Sequence, residues 1–116
     1  MAVLATMSVA IAAGDLRSEM VLQLEREGSD VSRPHHVDFY FYVANELDAE
    51  TASRELQAKG FTVKTRRAVD GSKWLCLASN TFVPDSIQTT EIGYIFGLLA
   101  QKYKGDFDGW EAEVVK

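Results

Sequence analysis

Apolar residues recur every three to four positions in three stretches of this chain. In four others they recur at every second position or run together. That alternation of period is the clearest statement the sequence makes about its fold. Leu16, Met20 and Leu24 follow i, i+4, i+8 spacing with Val21 beside them and Arg17, Glu19, Glu25 and Arg26 outside, which predicts an amphipathic helix. Asp15 is its expected N-cap and Gly28 its stop. Pro34 then biases Arg33 toward extended backbone. A strand is predicted over 35–43, with Val37, Phe39, Phe41 and Val43 on one face and His36, Asp38, Tyr40 and Tyr42 on the other. Asn45 or Asp48 opens a second helix that turns Ala49, Ala52 and Leu56 inward and ends at Gly60. Residues 61–67 alternate Phe61, Val63, Thr65 against Thr62, Lys64, Arg66, and Asp70-Gly71 is a hairpin turn. The returning strand, 73–79, is apolar on both faces, as a central strand would be.

The longest predicted helix follows Pro84, from Ile87 to Tyr103, with Ile92, Ile95, Phe96, Leu99 and Tyr103 as its buried stripe. Gly93 and Gly97 lie four apart and let it sit close to a sheet. Gly105 and Asp108-Gly109 are turn chemistry, because Gly tolerates positive φ and Asp bonds its own backbone. A last strand over 110–115 then places Trp110, Ala112 and Val114 opposite Glu111 and Glu113. The order is a helix followed by β-α-β-β-α-β. The expected class is α+β: a ferredoxin-like antiparallel sheet with helices on one face and an extra N-terminal helix. Residues 15–116 form one such domain.

Composition narrows the reading. The chain has 116 residues, 47% apolar and 25% charged, within the range of one ordinary globular domain. Residues 1–14 form an apolar extension whose first charge is Asp15, without the positive start of a signal peptide and short of the ~20 residues of a membrane span. A helical extension or a loose covering segment is expected there. The net charge of −5 argues against broad binding to phosphate backbones. A single cysteine, Cys76, excludes an internal disulfide and points to a reducing compartment.

No cluster announces a reaction. His35 and His36 point to opposite faces of a strand, and His36 with Asp38 lacks a third ligand, so no metal site is expected. Cys76 reads as a small buried hydrophobe, and Asp106, Asp108, Glu111 and Glu113 as solvated turn and strand charges. The glycines are scattered singly rather than gathered into a phosphate loop, and no cofactor is expected. The informative surface is the outer sheet face, where His36, Tyr40 and Tyr42 stand beside Lys64 and Arg66. It superficially resembles an aromatic RNA platform, but 73–80 lacks the basic, glycine and alternating aromatic residues of one. A protein-facing surface suits exposed tyrosines, with a homodimer contact as one form of it. Tyrosines covered by the chain's own termini are the alternative.

Two motifs carry a resemblance. Glu25-Arg26-Glu27-Gly28-Ser29-Asp30, followed by Pro34 and His35-His36, and then Phe107-Asp108-Gly109-Trp110 after a long helix, resemble the regulator of ribonuclease activity B family. The resemblance implies a small cytoplasmic ferredoxin-like protein that is not an enzyme. Founding members bind the endoribonuclease ribonuclease E, act on its non-catalytic region and restrain RNA processing. The family pattern carries over Gly28, Ser29, Asp30, Asp108, Gly109 and Trp110, with structural roles first: Asp30 braces the start of a strand and Trp110 anchors the last one. Founding members continue into an acidic tail, whereas this sequence closes on Glu113-Val114-Val115-Lys116, so inhibition is implied less firmly than the fold. The alternative function is a homodimeric ferredoxin-like domain holding a small ligand in a pocket near Tyr40 and Tyr42.

Overall fold

The computed structural model describes residues 2–6 and 16–116, with side chains described from Leu16 onward. Eight elements follow in order: β1 (Ala2–Thr6), α1 (Leu16–Arg26), β2 (His35–Val43), α2 (Glu46–Ala58), β3 (Thr62–Arg67), β4 (Trp74–Phe82), α3 (Ile87–Tyr103) and β5 (Asp106–Glu113). The class is α+β. The strands form one open antiparallel sheet in the order β1-β5-β2-β4-β3.

The expected plan has four strands, and β1 is a fifth. Ala2–Thr6 lies against β5, from Ala2 opposite Glu113 to Thr6 opposite Gly109, where a helical or loose segment is expected. An uncharged run of small and branched residues has no period of its own, so the open hydrogen-bonding edge of β5 decides its conformation. Asp15, the expected cap of α1, lies outside the described residues, as do residues 7–14.

The three helices and one face of the sheet close over a single core. Leu16, Met20 and Leu24 of α1, Ala49, Ala52 and Leu56 of α2, and Ile92, Phe96 and Leu99 of α3 pack on Val37, Phe39, Phe41, Val43, Cys76, Ala78, Trp110 and Ala112. All six phenylalanines meet there. Phe39 has the rings of Phe61, Phe82, Phe96 and Phe107 within 6.0 Å of its own, and Phe41 reaches the cluster through Phe96. Such offset and edge-on contacts add to the area that the rings bury.

Helix ends follow the expected chemistry with one exchange. Asn45, not Asp48, caps α2, its side chain accepting from the Asp48 amide at 2.9 Å. Phe61 precedes β3 and closes α2, its amide bonded to the Leu56 carbonyl at 3.1 Å. After α3 the left-handed residue is Lys104, φ +50, and not Gly105. Gly105 is required for a different reason: a Cβ there would lie 2.6 Å from the Phe41 ring and 2.8 Å from the Tyr42 carbonyl.

The last strand also starts earlier than predicted. Phe39 faces Trp110 while Phe41 faces Phe107, so β5 carries one residue more than β2 across that interval. Asp108-Gly109 is therefore a bulge within a strand that begins at Asp106, rather than a turn before one. Gly109 accommodates it with φ +110, a conformation that costs glycine nothing. Among the described residues no helix is long and apolar enough to cross a membrane.

Candidate partner-binding face

The three helices cover one side of the sheet, and among the described residues no helix covers the other. Strand register sorts that second side into cross-strand rows. Thr62, Ser79, Asp38 and Glu111 form one; Lys64, Leu77 and Tyr40 the next; Arg66, Leu75, Tyr42 and Asp106 a third. The five residues singled out from sequence, His36, Tyr40, Tyr42, Lys64 and Arg66, thus share one face. His36, Lys64 and Arg66 are exposed and the two tyrosines half-buried.

Electrostatics divide the face by strand. Lys64 and Arg66 on β3 make no ion pair among the described residues. On β5 every charge of this face is negative: Asp106, Glu111 and Glu113. Between them Ser79 donates to Asp38 at 2.6 Å, and His36 Nε2 lies 3.3 Å from the same carboxylate. Tyr40 points its hydroxyl at Glu111, 3.5 Å away. Burial pushes the Tyr40 phenol up, and the charges of Glu111 and Asp38 push it further, so it stays a neutral donor at physiological pH.

Leu75 and Leu77 were not singled out from sequence. An apolar run on both faces of 73–79 reads as a central strand, and β4 is one, its second face lying on this side. Leu75 is only 2% exposed there, and it stands apart from the main core. The signal lay in the alternation of Leu75 and Leu77 against Cys76 and Ala78.

One family motif braces the chain just past β5 and the other lies within that strand. Gly28, φ +82, closes α1, and Ser29 follows with its amide on the Leu24 carbonyl at 2.9 Å. The Ser29 hydroxyl is a buried hub. It accepts from the Val115 amide at 2.9 Å and lies 2.5 Å from His35 Nε2. His35 Nδ1 is 2.8 Å from the Arg33 carbonyl and donates to it, which leaves Nε2 facing the Ser29 hydroxyl. The Asp30 amide donates to the Val115 carbonyl at 2.6 Å, and Arg33 reaches the Lys116 carbonyl at 2.7 Å. Asp30 Oδ1 accepts from the Ser32 hydroxyl and amide, which hold its carboxyl below the usual range. Trp110 is a core residue, 1% exposed, and Asp108 is exposed at the bulge.

Among the described residues no group of three His, Cys, Asp or Glu is placed to hold a metal ion. The buried Cys76 thiol is pushed up to about 11 by desolvation and carries no nucleophilic charge at neutral pH. A cleft of about 830 Å³ opens beside Leu16, Gly93, Phe96 and Phe107 with Lys73 and Asp106 among its lining. Tyr42 lines it and Tyr40 does not.

No curated protein matches the chain. The family model described as regulator of ribonuclease activity B matches residues 15–112, from the start of α1 to the last core residue of β5. With most of its length covered, the chain belongs to the regulator of ribonuclease activity B family.

Proposed function

We propose that this chain is a non-enzymatic, protein-binding regulator of a ribonuclease, built on a ferredoxin-like scaffold and acting on ribonuclease E in the cytoplasm. Its βαββαβ order and the order β5-β2-β4-β3 of its last four strands support the scaffold reading, with β1 as an addition at the β5 edge. The observation that carries the function is the outer sheet face of a chain in this family. Its half-buried tyrosines, apolar Leu77, and Lys64 and Arg66, which make no ion pair among the described residues, suit a macromolecular partner better than a small substrate. The Gly28-Ser29-Asp30 loop braces the chain just past β5, and the Asp108-Gly109-Trp110 segment carries the bulge within it.

The test is equilibrium binding of the purified chain to ribonuclease E, with the enzyme's non-catalytic region present and then absent. Binding that needs this region, and that weakens at least tenfold on Lys64→Glu with Arg66→Glu, is the expected result. Equal binding by the reversed variant would remove the sheet face from the account, and no binding would remove ribonuclease E.

A further inference from the structure

We propose that the outer sheet face also binds a second copy of this chain, the two sheets facing each other about a two-fold axis parallel to the strands. The inference rests on the arrangement of charge and apolar surface over the face, and it holds whether or not ribonuclease E is the partner.

Two sheets of one kind can meet face to face about an axis that runs across the strands or along them. An axis across the strands lays each strand over its own counterpart. Lys64 and Arg66 would then meet the same cations of the other copy, and Asp106, Glu111 and Glu113 the same anions. An axis along the strands exchanges the lanes and keeps the rows. Arg66 and Asp106, which share a row through Leu75 and Tyr42, then come opposite one another in the two copies. Lys64 comes over β5 at its bulge, between the rows of Asp106 and Glu111. The axis passes between β2 and β4, so the β4 lane of one copy, with half-buried Leu77, covers the β2 lane of the other, with Tyr40. One symmetry therefore pairs cation with anion and apolar with aromatic at the same time, and the other pairs like with like.

Usual strand spacings make the four-strand patch about 19 by 20 Å, which is ~400 Å² of flat area per copy. That is below the ~800 Å² per partner of a standard stable interface, so the dimer exchanges rapidly and forms at high concentration. Each copy also carries a net charge of −5, a repulsion screened beyond about 8 Å at physiological salt. Asp106 is already held by Lys73 at 2.5 Å, so Arg66 joins an existing ion pair rather than creating one.

Sedimentation equilibrium of the full chain at ~0.15 M salt, from micromolar to about millimolar, tests this directly. The weight-average mass is expected to rise from 12.9 kDa toward twice that value. Lys64→Glu with Arg66→Glu should abolish the rise, and so should Asp106→Lys with Glu111→Lys. An equimolar mixture of the two variants should restore it, because each supplies the charge the other lacks. Far-ultraviolet circular dichroism checks that both are folded, and Arg66→Glu paired with Asp106→Lys alone serves if a double variant is not. A native chain that stays at 12.9 kDa throughout overturns the proposal. So does a rise unaffected by either reversal, or a mixture that stays monomeric.

Discussion

Gly105 sits where the end of α3 crosses over the Phe41 ring, and the crossing leaves no room for a methyl group. A Cβ would come within 2.6 Å of an aromatic carbon and 2.8 Å of the Tyr42 carbonyl oxygen, so either the packed ring or the backbone must move. Gly105→Ala should therefore cost about 1–3 kcal/mol, the usual range for overpacking a filled site, read from urea unfolding midpoints. A change under ~0.5 kcal/mol would mean that the crossing is looser than described. Cys76 makes a second prediction at this scale. Its thiol, pushed up to about 11 by burial, should not react with a disulfide reagent at pH 8 while the chain is folded, and should react fully in denaturant. Fast labelling of the folded protein would contradict that. The inert role of Cys76 was legible from its place in an apolar run. The role of Gly105 was not, because turn propensity cannot distinguish a glycine needed for its φ from one needed for its missing side chain.

The α1–β2 connection is held at several points. Ser29 takes the Val115 amide and the His35 ring, Asp30 takes the Val115 carbonyl through its amide, and the Asp85 amide bonds the Val31 carbonyl at 3.0 Å. Ser29→Ala leaves a buried imidazole nitrogen and a backbone amide without their partner, which should cost about 1–3 kcal/mol in thermal or urea unfolding. An unchanged midpoint would show that water replaces the hydroxyl at no cost. Asp30 adds a pH dependence. Its carboxyl is lowered from 3.8 by the Ser32 hydrogen bonds, so the loop gains stability above that value and loses it as pH falls through the folded pKa. Carboxyl carbon shifts should titrate below 3.8 in the native chain and move back toward it in Ser32→Ala. A native midpoint at or above 3.8 would contradict the pairing. Sequence reading reached the Gly28-Ser29-Asp30 turn through its helix stop. It missed the Ser29–His35 pair, because residues six apart meet only once the helix end and the strand have been placed.

For the whole molecule, the period of the apolar pattern was enough to place α1, α2, α3 and the four inner strands. It could not place β1 or the bulge at Asp108-Gly109. Both are decided by neighbouring strands: β1 by the open edge of β5, and the bulge by the register between Phe39–Trp110 and Phe41–Phe107. The outer face was legible as His36, Tyr40, Tyr42, Lys64 and Arg66 because alternation sorts residues to one side. Its acidic β5 lane and its leucines became apparent only from the strand order, which places β3 and β5 on opposite sides of β2 and β4. The central claim is that this face regulates a ribonuclease by binding it. The most direct test is the rate at which ribonuclease E cleaves a defined RNA as the purified chain is titrated in. A saturable fall in rate is expected with the native chain, and none with Tyr42→Asp at an unchanged melting temperature. A rate indifferent to the native chain, or slowed equally by the folded variant, would contradict it.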